Sequence, residues 1–204
     1  MKKRIAMLLA LCLVLAGCLT ACGGSGESGS QAAGDTAAAA DVKTGGETID
    51  VGDFTVLCPE GWLGVVQTDP LAEKDADGNS PVRTDAYILV KGGESEWDAF
   101  TKPGVNITYW AENDAQTQGE GSLWFYDKTQ EIEVTVGGVK CPAWEVESEG
   151  LTADSPSDFY QLVFIPVTET SCFQVNITKS VSGDEGITFE DAGAMAIMES
   201  LKVK

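Results

Sequence analysis

Asp75-Ala76-Asp77-Gly78-Asn79 places three oxygen-bearing side chains at alternate positions of a glycine-containing segment, with Asp69 and Glu73 nearby. A calcium ion takes about 6–8 oxygen ligands, so Asp75, Asp77 and Asn79 are candidate ligands. The spacing departs from the EF-hand pattern and lacks its closing glutamate. A plain turn, with Asp, Gly and Asn chosen for backbone conformation, accounts for the same residues. Cys58, Cys141 and Cys172 are the cysteines of residues 47–204. Cys141 and Cys172, both in expected strands, are the pair that would form a disulfide in an oxidising compartment. Three unpaired thiols are the alternative, because cysteine packs as a small hydrophobe. Trp110, Trp124, Tyr126 and Trp144, set among carboxylates, offer a sugar-stacking face, against which stands the ordinary use of strand aromatics as core. Trp110 is the best exposed candidate, since it shares a strand face with Asn106 and Thr108.

The chain contains no histidine. That removes Ser-His-Asp and Cys-His nucleophile activation, His-ligated zinc and imidazole acid–base chemistry. Its 32 acidic side chains supply carboxylates in plenty, but glycoside hydrolysis needs two of them at a set separation across a cleft. On so acidic a surface most are simply solvated, and no catalytic residue is assigned. No cofactor is expected beyond the calcium candidate.

The elements that must position these residues read mainly as strands. DFTVLCP (53–59), VNITYW (105–110), DFYQLVFIPV (158–167) and SCFQVNITKS (171–180) alternate at period two. EIEVTVGGVKCPAWEVE (131–147) reads as two strands joined through Gly137-Gly138. Thr168 to Ser171 joins two neighbouring strands as a hairpin. VNIT occurs at 105–108 and again at 175–178, read as two strands of similar burial rather than a duplication. A C-terminal helix is expected from a Thr188 cap through FEDAGAMAIMESLKV, with a short helix near ESEWDAF (94–100). The fold class is α+β: an antiparallel sheet with flanking helices.

The N-terminus reads as an export signal. Lys2, Lys3 and Arg4 precede an apolar run from Ile5 to Leu15, followed by small residues. The run is too short for the roughly 20 apolar residues of a membrane span. Leu15-Ala16-Gly17-Cys18 and Leu19-Thr20-Ala21-Cys22 both resemble the lipobox of bacterial lipoproteins, in which the cysteine sulfur receives a diacylglycerol. Cys22 is favoured as the anchor because Gly23, Gly24, Ser25 and Gly26 follow it, with Cys18 as the alternative. The resemblance implies a signal peptide at 1–21 and a palmitate-type anchor on the extracytoplasmic side of the cell membrane. Residues 22–46 are rich in Gly, Ala and Ser and have too few large apolar side chains to offset their ordering entropy. They read as a disordered tether with a span of roughly 25–30 Å. One acidic domain, 47–204, follows.

Loss of residues 1–21 leaves 10 basic and 32 acidic side chains, a formal charge of −22. Nucleic acid requires a basic footprint, so it is not an expected partner. Anionic headgroups are repelled as well, so the membrane is held by the lipid alone.

From Phe54 onward the order of segments resembles the PsbP-like fold: FTVLCPEGW, VNITYW, VTVGGVKCPAWEVES, FYQLVFI, CFQVNITKS and the closing AMAIMESLKV. Pro59-Glu60-Gly61-Trp62 matches the Pro-x-Gly-Trp of that family's bacterial lipoprotein members, and Glu199-Ser200-Leu201-Lys202 matches their Ser-containing tail. The resemblance covers about residues 50–204. It implies an α/β/α sandwich and a non-catalytic accessory or ligand-binding domain, whose partner is an envelope protein or a small ligand. One departure is AENDAQTQGEGSLWFYDKTQ, where Gly119 and Gly121 interrupt the helix that the family places before the hairpin. No functional residue transfers, because no site motif is matched. The alternatives are a carboxylate-based glycan hydrolase and a solute-binding lipoprotein. The latter usually closes two lobes around its ligand, and 158 residues leave little room for two.

Overall fold

A computed structural model describes residues 45–149, 156–181 and 183–204. The expected signal peptide, Cys18, Cys22 and all but the last two residues of the expected tether lie outside the described residues. Two units are distinguished: residues 69–81, and the larger unit formed by the described residues up to Thr68 and from Val82 onward. Among the described residues no helix is long and apolar enough to cross a membrane.

The strands of the larger unit are β1 (Gly46–Asp50), β2 (Phe54–Pro59), β3 (Trp62–Thr68), β4 (Val82–Lys91) and β5 (Gly104–Trp110). Then come β6 (Lys128–Glu131), β7 (Val134–Val136), β8 (Val139–Cys141), β9 (Ala143–Ser148), β10 (Asp158–Thr168), β11 (Ser171–Val181), β12 (Asp184–Glu185) and β13 (Lys202–Val203). The helices are α1 (Ala115–Ser122) and α2 (Ala192–Ser200). The main sheet runs β3-β4-β5-β11-β10-β9-β6, with β12 on β11; β1-β2-β13 and β7-β8 form smaller sheets. Every described pairing is antiparallel.

The expected strands at 53–59, 105–110, 158–167 and 171–180 are β2, β5, β10 and β11. The segment 131–147 differs from the two strands expected there. Gly137 and Gly138, both at positive φ, make the expected turn, but it joins only the short β7 and β8. Pro142 then separates β8 from β9, because it has no N–H to continue the ladder.

Both faces of the sheet are covered in part. One face carries Leu89, Val105, Ile107, Val163, Val175 and Ile177, packed with Phe54 of β2 and with Ile197 and Met198 of α2. The Phe54 ring meets Phe173 edge-on with centroids 5.3 Å apart. The opposite face carries Trp144, Val146, Leu162, Phe164 and Cys172, packed with Ala115 of α1.

Helix α1 forms where Gly119 and Gly121 were expected to interrupt it. Asp114 Oδ1 accepts the N–H groups of Gln116 (3.0 Å) and Thr117 (2.9 Å), capping the first turn. Ala115, Gly119 and Ser122 then make a buried stripe at helical spacing. Gly119 is there for closeness: a Cβ at this position would overlap Trp144 Cζ3 and lie 2.6 Å from Trp144 Cη2.

Helix α2 starts at Ala192, later than a Thr188 cap implies. Asp191 is the cap, its Oδ1 accepting from Gly193 N (2.9 Å) and Ala194 N (3.2 Å). Ser200, in the Ser-containing tail, accepts from Leu57 N at 2.8 Å and donates to the Ile197 carbonyl at 2.7 Å, fixing the end of α2 to β2. The short helix expected near Glu94 is a 3₁₀ turn, Glu96–Phe100. The result is a predominantly β, antiparallel α+β fold with one helix on each side of the main sheet.

Candidate functional site

Strand alternation decides what each face presents. On β5 and β11, Val105, Ile107, Phe173, Val175 and Ile177 point into the first core, so Asn106, Thr108, Trp110, Gln174 and Asn176 stand on the face shared with α1. The two VNIT segments account for the centre of that face. β5 and β11 pair antiparallel with Asn106 directly opposite Asn176 and Thr108 opposite Gln174. The repeated tetrapeptide thus sets two asparagines side by side, and the reading of two equally buried strands agrees with this placement.

A chain of carboxamides extends from that pair. Gln67 Nε2 on β3 donates to Asn106 Oδ1 at 3.0 Å. Gln174 Nε2 donates to Asn176 Oδ1 at 3.1 Å. Gln174 Oε1 accepts from Trp110 Nε1 at 3.1 Å and from Gln118 Nε2 of α1 at 3.3 Å. All six of these side chains are half-buried. Sequence reading singled out Trp110, Asn106 and Thr108 on one face but missed Gln67, Gln118, Gln174 and Asn176. The signal available for the β11 pair was Gln174-Val-Asn176, polar residues at alternate positions of an otherwise apolar strand.

At the end of β5 an open cleft of about 430 Å³ is lined by Asp53, Asp85, Tyr109, Trp110, Ala111, Glu112 and Asn113. Asp85 is engaged through both oxygens by the Arg83 guanidinium, at 2.9 and 2.7 Å. That pairing holds its carboxyl below the usual carboxylate range despite partial burial. Asp53 Oδ2 accepts from Thr84 Oγ1 at 3.1 Å. The cleft therefore presents aromatic side chains and carboxylate acceptors.

The other sequence-selected residues are dispersed. In the 69–81 unit, Asp75 Oδ1 accepts from Asp77 N (2.9 Å) and Asn79 N (2.8 Å), and Oδ2 accepts from Asn79 Nδ2 (3.2 Å). Gly78 completes the bend at φ +85°. The backbone N–H of Asn79 foremost holds the Asp75 carboxyl below its ordinary value. The carboxylate thus serves the turn itself, and among the described residues no group of three or more Cys, Asp or Glu is arranged to hold a metal ion.

Cys141 and Cys172 are not brought together. Cys141 lies in the first core cluster and Cys172 in the second, on the opposite face, and both are free thiols, as is Cys58. Burial pushes the Cys172 thiol up to about 11, with the Asp114 charge adding to the shift.

Trp144, Trp110 and Tyr126 come together in the second core cluster, so they are used as core rather than as an open stacking face, and Trp124 is not part of that cluster. Trp144 is core, packed edge-on to Phe164 at 5.7 Å, and Tyr126 is half-buried against Tyr160. Trp110 is half-buried beside the cleft, whereas Trp124 is 89% exposed.

No family model matches the chain, and a comparison with curated proteins finds no relative. Among solved structures, a crystal structure of a protein from Bacteroides thetaiotaomicron is similar at 11% identity, covering 78% of this chain and 48% of that one with a TM-score of 0.46. This chain thus spans about half the length of that protein. The solution structure of cyanobacterial PsbP (CyanoP) from Synechocystis is similar at 11% identity, covering 82% of this chain and 98% of that one with a TM-score of 0.35.

Proposed function

We propose that the chain is a lipid-anchored extracytoplasmic protein whose acidic domain, of the PsbP-like kind, binds or assists a partner without catalysis. The lipobox supports the anchor, and the order of segments from Phe54 to the C-terminal helix supports the family reading. The observation that carries the binding role is the pairing of the cleft acid Asp85 with Arg83. A general acid for glycoside cleavage needs a raised carboxyl pKa, whereas Asp85 is held low by Arg83 and the cleft is open. Among the described residues, every carboxylate with a resolved shift is lowered. A carboxylate tied to a guanidinium in an open groove suits recognition better than proton transfer.

Membrane fractionation of wild type and Cys22→Ser tests the anchor. The wild type is expected in the membrane fraction and the variant in the soluble one. Retention of the variant that disappears when Cys18 is also changed would move the anchor to Cys18; retention of the double variant would refute lipid anchoring.

A further inference from the structure

We propose that the carboxamide row formed by Gln67, Asn106, Asn176, Gln174 and Gln118, with Trp110 beside it, is a binding site for a neutral polyhydroxylated ligand of the carbohydrate class. This inference rests on the binding-domain reading and names the chemistry of the ligand.

The first observation is charge. The chain carries 32 acidic and 13 basic side chains, yet Ala86, Ile88, Asn106, Thr108, Gln174 and Asn176 put no charge on this part of the sheet. Ala86 is fully buried and the other five are half-buried, so this stretch of sheet is uncharged and only partly open to solvent. A neutral face avoids desolvating an ion when an uncharged ligand is laid on it.

The second observation is unused hydrogen-bonding capacity. Among the described residues, Asn106 and Asn176 have no protein acceptor for their Nδ2 groups, and Gln67 and Gln118 have no protein donor to their Oε1 atoms. None of these atoms is buried without a partner, so all four reach solvent. A sugar hydroxyl both donates and accepts. The open groups, two amide donors at Asn106 and Asn176 between carbonyl acceptors at Gln67 and Gln118, can all be met by hydroxyls, whereas an acceptor-only anion such as a phosphate or carboxylate would leave the two carbonyls unmet. The existing amide–amide bonds hold the row in place before binding, which limits the ordering entropy lost on association.

The third observation is the aromatic flank. Trp110 is fixed by its bond to Gln174 and lines the adjoining cleft, which gives the row an amphipathic ring at one end.

Isothermal titration calorimetry of the full mature protein against cello-, xylo-, manno- and malto-hexaose, with oligogalacturonate as the charged control, tests the assignment. At least one neutral oligosaccharide should bind, and oligogalacturonate should bind more weakly. Asn106→Asp and Asn176→Asp, near-isosteric changes that replace a donor with a charge, should each weaken that binding about tenfold or more. Thermal unfolding of each variant checks that the fold is kept. Absence of binding to all four neutral sugars, preference for the charged control, or unchanged affinity in both folded variants would overturn the proposal. Loss of sugar binding leaves the anchored-protein reading to stand on the Cys22 fractionation. Release of reducing ends from a bound oligosaccharide would support the sugar site while overturning the non-catalytic reading.

Discussion

Gly119→Ala and Gly121→Ala make a matched pair that separates two meanings of glycine in one short helix. Each substitution adds the same methyl group to α1, and intrinsic helix propensity favours alanine by about 1 kcal/mol at an interior position. At Gly121 nothing lies within 4 Å of the added Cβ, so the variant gains up to that amount. At Gly119 the Cβ overlaps the Trp144 ring and comes within 3.3 Å of Phe164 Cδ2. Trp144 and Phe164 are themselves packed edge-on in the second core cluster, so making room for the Cβ disturbs that packing. Overpacking of this kind costs about 1–3 kcal/mol. Set against the propensity gain, the net destabilisation of Gly119→Ala is about 0–2 kcal/mol, which leaves it about 1–3 kcal/mol less stable than Gly121→Ala. In a domain of this size each kcal/mol lowers Tm by about 2–4 °C, so the drop for Gly119→Ala is at most about 8 °C. Urea and thermal unfolding followed by tryptophan fluorescence would measure both variants. A Gly119→Ala protein as stable as Gly121→Ala would refute the reading that α1 needs a glycine to sit on Trp144.

Two further outcomes are expected. Burial alone would raise the Asp191 carboxyl, but its 2.6 Å pairing with Lys91 and the N–H groups of Ala194 and Gly193 hold it low. The charged form therefore favours folding above the unfolded pKa, and that contribution is lost as pH falls through the lower folded value. Urea midpoints measured from about pH 6 to pH 2 should decline less steeply for Asp191→Asn than for wild type, and identical slopes would exclude this role. Titration of the denatured, unreduced mature protein should find three thiols, from Cys58, Cys141 and Cys172. A single reactive thiol would show that a bridge forms despite the separation of Cys141 and Cys172 across the sheet.

What the sequence made legible follows from where side-chain periodicity is strong. β2, β5, β10 and β11 alternate cleanly, and the structure places them within one or two residues of the expected bounds. β3 and β4 were missed, although VRTDAYILVK is rich in β-formers, because buried and half-buried residues follow one another in it without clean alternation. Helix α1 was misjudged for a different reason. A propensity scale scores Gly119 as a breaker, and it holds no information about the indole beneath that position. Asp191 displaced Thr188 as the cap of α2 because its carboxylate accepts two amide N–H groups and also meets Lys91, a partner 100 residues away. The carboxamide row is non-local in the same way. It draws on β3, β5, β11 and α1, and only the antiparallel register of β5 on β11 brings its central pair together.

The repeated VNIT carries the most information for function because its alternate positions go to opposite faces of the sheet. Valine and isoleucine fill the first core in both copies, which sheet stability alone would require. Asparagine is a poor strand former, so its use at two facing positions runs against local preference. A purely structural pair would be expected to consume its own polar atoms, either by bonding across the strands or by closing a network with its neighbours. Here each Oδ1 is consumed by a glutamine, while each Nδ2 is left open to solvent. Replacing both asparagines with valine would improve strand propensity while deleting only hydrogen bonds that are half-exposed to water. Asparagine at both positions, on an uncharged stretch of sheet flanked by an indole, is the pattern expected when the open donors have a ligand to meet.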